Sequence, residues 1–599
     1  MKTIESEIGG YRSAPDMHTS LGAMASADES EIASFYTGKC IFITGATGFV
    51  GKVLVEKLLR SCDGIQKIYI LLRSKKGVEP RNRVNELLNS KAFDRLRENN
   101  PSQLTKVIPI PGDITLPGLG ISKLDLEMLI RDVSIVFHSA ATVKFDEPLR
   151  TSINFNTLGT RYILDICHQM KKLTALVHVS TAYSNCDLHD VDEQLYPPPA
   201  PPKKIIELAE WMDDDTLNSL TPKLLGKRPN TYTYTKALAE SLLVEESGKI
   251  PTAIVRPSIV TAAWREPYPG WVDNINGPTG IVLASGKGML RTMLFDSRAC
   301  ADLIPVDMVI NLMIAVAWHT ATTRPKSVII YNCTSGMMNG IKWGEIERLV
   351  FPLLLEYPSI QVFRYPGGTF KESRLVNNFC SVFNHLIPAY LFDGFMKLTG
   401  KKTMMVRIYE KLHRATNALE WFTTHDWNFK SNNVIEMSER LQGIDQKTFQ
   451  FDVRNLQWTD YWHDYVLGIR KFILKEEDET IQSARNKLNR VYYTHKFISV
   501  LFLFGLWHML LRTPLIRTVW DGFVSAGINM VNTFLMYGPW NSSSSGTNTS
   551  SLFDAATSAS SSPFNASTIA TTSSISSLSS SIVDAFASIA GFPTSSTSN

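Results

Sequence analysis

Apolar positions along this chain follow two rhythms. Up to about residue 335, short apolar runs alternate with stretches in which apolar residues recur every three or four positions; from about Gly340 the helical spacing takes over. Cys40–Thr44, Lys67–Arg73, Val107–Ile110, Ser134–His138, Leu176–Ser180, Pro251–Pro257 and Ser327–Asn332 read as strands. Val53, Leu54, Leu58 and Leu59 continue the first strand at helical spacing, and a charged helical segment, Arg81 to Arg97, follows the second. Strands and helices in alternation predict an α/β fold built on a doubly wound parallel sheet.

The later rhythm predicts a separate, mainly helical domain over 340–470, rich in Leu, Phe, Tyr and Trp and interrupted at Pro358, Pro366 and Pro388. Trp421, Trp427 and Phe429 read as its core or as the walls of a tunnel. A linker over 471–496 carries the acidic run Glu476 to Glu479, a solvated edge or hinge. Phe497–Leu511 has no formal charge, follows Arg485, Lys487, Arg490 and Lys496, and is trailed by Arg512 and Arg517. Crossing a bilayer takes about 20 apolar residues, so this core is short; segment 497–540 is read as membrane-associated, by crossing or as a hairpin with Val519–Trp540. The upstream basic excess puts the domains that precede it on the cytosolic side. At the ends, residues 1–37 read as a mobile polar leader without the apolar core of a signal peptide, and 541–599 as a disordered Ser/Thr-rich tail. The tail holds sequons at Asn548 and Asn565, and its final Thr597-Ser598-Asn599 is not a peroxisomal address.

With 599 residues, 44% of them hydrophobic, the chain has room for two folded units and appendages. A formal charge of +4 gives no case for a nucleic-acid partner. Seven cysteines without a CxxC pair point to reduced thiols and to no metal site.

Chemistry enters at Thr44–Gly51, TGATGFVG, between the first strand and its helix. Gly45, Gly48 and Gly51 suit a sharp turn, a close approach of backbone to a pyrophosphate, and tight helix–sheet packing, as in a Rossmann dinucleotide site. Thr44, Thr47, Phe49 and Val50 belong to the same loop, whose N–H groups open the helix toward an anion. The second strand ends in Arg73-Ser74-Lys75-Lys76 with no carboxylate to hold a ribose 2′-hydroxyl, so the edge favours NADPH over NADH. Asp113 after the third strand is a candidate for the adenine, and Ala140 after the fourth leaves room for the cofactor across the sheet edge. His138 reads as a packing residue, and Asn156 either braces backbone or touches ligand.

In TYTYTKALAE, Tyr232 and Lys236 are four apart and share a helix face, whereas Tyr234 points elsewhere. Tyr232 is the candidate proton donor. Lys236 is placed to lower the phenol's pKa and to hold the nicotinamide ribose, and Thr181 or Ser180, from the end of the fifth strand, to supply a hydroxyl for the substrate oxygen.

The glycine turn together with YTYTK resembles the extended short-chain dehydrogenase/reductase superfamily. Further stretches narrow the match: LLRSKKG, VFHSAATVKFDE, VHVSTAYSN, NTYTYTKALAE, IVRPSIV and DLIPVDMVIN, with FRYPGGTF to HDWNFKSNNV beyond them. Over about residues 38 to 470 they resemble the alcohol-forming fatty acyl-CoA reductases. The resemblance implies a reductase domain over 38–335, a C-terminal helical domain, and NADPH-dependent reduction of a long-chain acyl-CoA to a primary alcohol with release of coenzyme A. It also implies membrane lipid as a partner and the endoplasmic reticulum as the site, with the peroxisomal membrane as the alternative. Trp264, Tyr268 and Trp271 are then candidates for a substrate channel, and Lys287, Arg291 and Arg298 for the coenzyme A phosphates. A membrane-bound sterol or hydroxysteroid dehydrogenase and a non-catalytic nucleotide-sensing scaffold are the alternatives.

Overall fold

The computed structural model describes residues 29–74, 77–511 and 513–537. Lys75, Lys76, Arg512, the side chain of Arg517 and the tail with its sequons at Asn548 and Asn565 lie outside the described residues.

Seven strands form one sheet: β1 (Cys40–Thr44), β2 (Lys67–Leu72), β3 (Val107–Pro111), β4 (Ile135–His138), β5 (Ala175–Val179), β6 (Thr252–Pro257) and β7 (Ile329–Cys333). All pairings are parallel, in the order β7-β6-β5-β4-β1-β2-β3. Being covered on both faces, the strands are apolar throughout, and the pleat sends alternate residues to opposite cores. Ile41, Ile43, Ile68, Ile70 and Phe137 share one core with the helices Phe49–Ser61 and Val306–Thr323. Phe42, Tyr69, Val136 and Leu176 share the other with Ile163, Leu164 and Leu243. Because β1 lies between β2 and β4, the winding reverses at its C-terminal end, which is where such a sheet opens a crevice for ligands.

The described residues fall into two compact units, the first comprising residues up to 286, 290–357 and 367–478, the second 287–289, 358–366 and those from 479 on. The expected division between 38–335 and 340–470 is therefore not a division in packing. Asn428–Phe429 pairs in parallel with Asp190–Val191, the Asn332 amide donates to Lys430 O (2.8 Å), and Glu193 accepts from the N–H groups of Asn332 (2.8 Å) and Asn433 (2.6 Å). Sequence periodicity sees each element but not these long-range ties.

The last part of the expected leader is folded. Glu31–Tyr36 is a helix with Ile32 and Tyr36 fully buried; Tyr36 donates to Ile314 O (3.0 Å), and Asp445 accepts from the Ser30 hydroxyl and from Ile32 N (3.2 Å). Six residues carry too little periodicity to announce a helix whose support comes from the far end of the chain.

Most of the expected linker 471–496 is helical as well. In the second unit, Ile481–Leu511 runs as one helix, since neither Gly nor Pro interrupts it before Phe497. Its first turns are anchored: Ala484 and Leu488 are buried, Lys487 donates to Ile360 O (2.6 Å), and Tyr492 meets the Tyr365 ring at 4.9 Å. Pro514–Tyr537 follows, touching the first helix where Trp520 meets Trp507 edge-on at 4.8 Å. In the first unit, Glu476 is buried against Arg470 (3.7 Å) and so is not the solvated edge its acidic neighbours suggest. Among the described residues no helix is long and apolar enough to cross a membrane.

Candidate active site

Gly45 leaves β1 at φ +78°, and a Cβ there would lie 2.8 Å from Ala140 N and 2.9 Å from the Ser139 hydroxyl. One at Gly51 would come within 2.3 Å of Gly45 O. The turn is thus pressed between β4 and the start of Phe49–Ser61, a fit that only glycine permits. Gly48 caps that helix with no side-chain hydrogen bond, leaving its first N–H groups as a cradle for an anion; these residues fit the pyrophosphate of a dinucleotide. The side chains of the loop do other work. Thr44 is buried, its hydroxyl 2.8 Å from His138 Nδ1 and accepting from Ala140 N (3.2 Å), so it fastens β1 to β4. Phe49 stacks on Trp271 (5.5 Å) and packs with Val50 against the core, which leaves the backbone of both for a ligand and takes Trp271 out of any channel wall.

At the next strand end Arg73 is exposed, 3.8 Å from Asp113 Oδ2 and 5.6 Å above the Phe155 ring. The other oxygen of Asp113 accepts from Thr115 N (3.0 Å) and Oγ1 (2.8 Å). Beside Arg73 stands a cation that sequence reasoning passed over. Arg83 donates to Arg73 O (2.7 Å) and to the Thr47 hydroxyl (3.2 Å), bridging the glycine turn and the β2 edge. Burial first, and Arg73 second, lower its pKa. A signal was present: Arg83 sits in the first turn of Pro80–Leu88, where the helix dipole disfavours a cation, so some other partner had to hold it there.

Helix Thr231–Glu246 starts at Asn230, whose side chain accepts from Thr233 N (2.9 Å). That start turns Tyr232 and Lys236 toward the end of β5. Tyr232 lies 5.8 Å from the Phe145 ring, near enough to Thr181 for that hydroxyl to lower its pKa, whereas Tyr234 is buried on another face among Ile205, Ile206 and Leu238. The two hydroxyls after β5 divide their duties. Thr181 meets the phenol, and Ser180 donates to Glu240, which Arg256 grips through Nε (2.9 Å) and Nη2 (2.7 Å). Asn156 accepts from Thr142 N (3.0 Å) and donates to Thr235 Oγ1 (3.0 Å), bracing the loop after β4 against the helix.

Lys236 departs from expectation. Its ammonium donates to Val179 O (2.7 Å), and burial pulls its pKa down to about 8 against the opposing pull of Glu240. Tyr232 is not lowered by it. Burial pushes the phenol up to about 12; the Thr181 bond lowers it and Glu240 raises it. The phenol is therefore held neutral, as a proton donor requires, by loss of solvent, and the ammonium's neighbours are His138 and His178, whose rings lie 5.1 Å apart beneath it and are kept neutral chiefly by burial.

Other candidates are engaged elsewhere: Arg298 with Asp296 (3.2 Å) and Lys287 with Gln361 (2.8 Å). Trp427 and Phe429 are buried with Tyr183, Phe422 and Phe145 in an aromatic cluster that reaches Tyr232.

Two families, each described as male sterility protein, match the chain: an NAD-binding one over residues 43–313 and a second over 384–476. A nicotinamide dinucleotide is accordingly the cofactor of this crevice. The chain is 44% identical over 504 residues to fatty acyl-CoA reductase 1 of Xenopus laevis and 43% identical over 504 residues to that of Homo sapiens. It is 43% identical over 506 residues to fatty acyl-CoA reductase 2 of Mus musculus; each alignment covers 84% of this chain and 98% of the relative. Among solved structures, the reductase (R) domain of a non-ribosomal peptide synthetase from Mycobacterium tuberculosis is similar at 16% identity and a TM-score of 0.49, over 74% of this chain and 96% of that one.

The depressed lysine gives a pH signature. Turnover should fall above pH of about 8 as the Lys236 ammonium is lost. Since its folded value lies below its ordinary 10.5, the unfolded chain binds more protons in between, and this group's contribution to stability rises with pH over the same window. A pH–rate profile run beside thermal melts checks the opposite signs, and Lys236→Arg should remove the alkaline limb from the rate profile.

Proposed function

The chain belongs to the fatty acyl-CoA reductases, and from that premise we propose that it takes a fatty acyl-CoA to the primary alcohol with NADPH, at a membrane surface, using Tyr232 as the proton donor. Family membership sets aside the hydroxysteroid dehydrogenase and the scaffold. The observation that carries the chemical assignment is the phenol of Tyr232, kept neutral by burial, on the helix whose Lys236 is bonded to Val179 O at the end of β5.

A reduced nicotinamide would supply one hydride when bound, so two in succession serve each acyl group taken to alcohol, and the phenol regains its proton from water between them. The residues of the chain manage the oxygen. Tyr232 and Thr181 hold the thioester carbonyl, and the phenol gives its proton as charge gathers there. Collapse of the resulting hemithioacetal releases coenzyme A as the thiol. The aldehyde oxygen then occupies the same two hydroxyls and receives the second proton. Lys236, pinned on Val179 O, is the group to hold the ribose, and Glu240 and Ser180 keep its helix in register with β5.

The choice of NADPH is supported by the β2 edge. Arg73 and Arg83 converge there, and the nearest carboxylate, Asp113, is shared between Thr115 and Arg73. An edge of this sign favours a 2′-phosphate.

Membrane association is supported by the second unit. Among the described residues from Phe497 on, the large apolar side chains are exposed, Phe502 at 69% and Phe523 at 76%, a far larger apolar surface than soluble proteins leave open. Two helices touching through Trp507 and Trp520, neither long and apolar enough to cross, fit a hairpin lying in the interface, with basic residues at its base. All seven cysteines are free thiols, in keeping with a reductase face in the cytosol, and the endoplasmic reticulum is the membrane we assign.

Three experiments test the reading. Incubating the purified protein with NADPH and an acyl-CoA panel should yield fatty alcohol and free coenzyme A; Tyr232→Phe should lower turnover on the order of 10²-fold with cofactor binding retained, while Tyr234→Phe stays near wild type. Equal losses from the two changes would sink the donor assignment. Arg83→Ala should raise the NADPH KM roughly 10- to 100-fold and leave that for NADH little changed. Finally, a chain ending at Lys496, beyond the packed Tyr492, should leave the membrane fraction and still reduce a short, soluble acyl-CoA; continued sedimentation with membranes would place the lipid contact elsewhere.

A further inference from the structure

The first unit contains a helical run whose faces are set the wrong way round for water. Arg374–Ser381 continues through a π turn, Val382–Leu386, into Ile387–Leu398, a rod about 37 Å long. Leu375, Phe379, Phe383, Ile387, Leu391 and Phe395 follow at every fourth position and are 40% to 82% exposed. The inner face is partly polar: His385, Ala389, Asp393 and Met396 are buried. His385 accepts from Arg291 N (3.0 Å) and stands 3.1 Å from His413 Nε2, while Asp393 accepts from the N–H groups of Met404 (3.0 Å), Met405 (3.0 Å) and Val406 (2.9 Å). A helix on a soluble protein turns its apolar stripe to the core and its polar side outward; this one does the reverse.

Scattered apolar side chains at a surface need no partner, but an unbroken row of them does. The charge around the row says what fits it. Lys397 lies on its last turn, Lys401 and Lys402 directly after it, and Arg407, Lys411 and Arg414 on the helix Met405–Thr424 that holds its inner face. All six are exposed. Over the same stretch, from Ile387 to Leu419, the chain has two acids, and one of them is the buried Asp393. An apolar row with a cationic end matches a bilayer that carries anionic headgroups: rings and branched chains enter among the upper methylenes, and the ammonium groups stay level with the phosphates. A second copy of this chain fits less well. It would bring the same cations, and the acids near the start of the row, Glu372 and Glu420, already hold Ser297 and Arg374.

Resting on the reading of this chain as an enzyme of the membrane surface, we propose that the outer face of residues 374–398 docks the first unit on anionic lipid, a contact separate from the one the second unit makes from Phe497 on. Docking of this kind is reversible and weakens with salt, so it adds to the anchor and does not replace it. Its consequence is orientation. An anchor keeps the first unit near lipid in any attitude, whereas a helix seated along its length selects one.

The test places the full-length protein in phosphatidylcholine vesicles, with and without phosphatidylserine, doped with a phospholipid that carries a diazirine on its acyl chain. On illumination, peptides within 374–398 should take up label, more with phosphatidylserine and less at high salt. Leu375→Glu with Phe379→Glu should lower that label on the order of 10-fold relative to the label from Phe497 on, with turnover of octanoyl-CoA unchanged, since both side chains face away from the core. Label from Phe497 on but none within 374–398 overturns the docking face and leaves the membrane reading in place; label nowhere brings down both. With the row unlabelled, cross-links between copies through Lys401 or Lys402 assign it to a second copy, and label gained on removing residues 541–599 assigns it to the tail. Either result overturns the proposal.

Discussion

Glu240 and Arg256 form the contact on which the arrangement of this molecule depends. Arg256 comes from β6 and Glu240 from the helix that carries Tyr232 and Lys236; both side chains are essentially without solvent. Two ions so placed lose several kcal/mol each in hydration, and their attraction alone does not make this good. Further hydrogen bonds do: Arg256 reaches Asp192 O (3.3 Å) and Gln194 O (3.0 Å), and Ser180 donates to Glu240. A helix, two strand ends and the loop after β5 are thereby held in one register, which is the register that brings the phenol to Thr181. The pair is worth more as a gauge of position than as a source of stability.

Much of this was legible in the order of residues. The sheet was, because strands covered on both faces must be apolar throughout, and the glycine turn was, because no other residue survives at Gly45 or Gly51. The choice between Tyr232 and Tyr234 followed from helix geometry alone. What stayed hidden was whatever depends on distant parts of the chain meeting. IVRPSIV contains Arg256 and TYTYTKALAE contains Glu240, yet nothing in either string tells of the other. Arg83 lay in a charged helix that looked solvated, and Ser180 could not be told from Thr181 until Glu240 claimed one of them.

The reading of Lys236 shows a different limit. A lysine four residues from a tyrosine invites the idea that its charge draws the phenol's pKa down. The structure instead gives the ammonium to Val179 O and raises the phenol by burial. Desolvation is a property of the assembled site, and Phe145, itself packed on Phe422, takes part in it. The segment read as a separate helical domain is thus part of the surroundings of Tyr232: its Phe422 packs on the Phe145 ring that lies beside the phenol.

The seat of the first helix bears on how the chain is made. Glu31–Tyr36 is tied to Asp445, 413 residues away along the backbone at the Ile32 contact. On a ribosome adding about 5–20 residues per second, roughly 20 to 80 seconds pass between the synthesis of this helix and that of its anchor. Within that interval the helix Val306–Thr323 is made and offers Tyr36 its partner, Ile314 O, but the carboxylate that takes Ser30 and Ile32 N is still missing. The helix is thus seated in two stages, on Val306–Thr323 and then on Asp445, and a nascent chain halted before residue 445 holds it by the first alone.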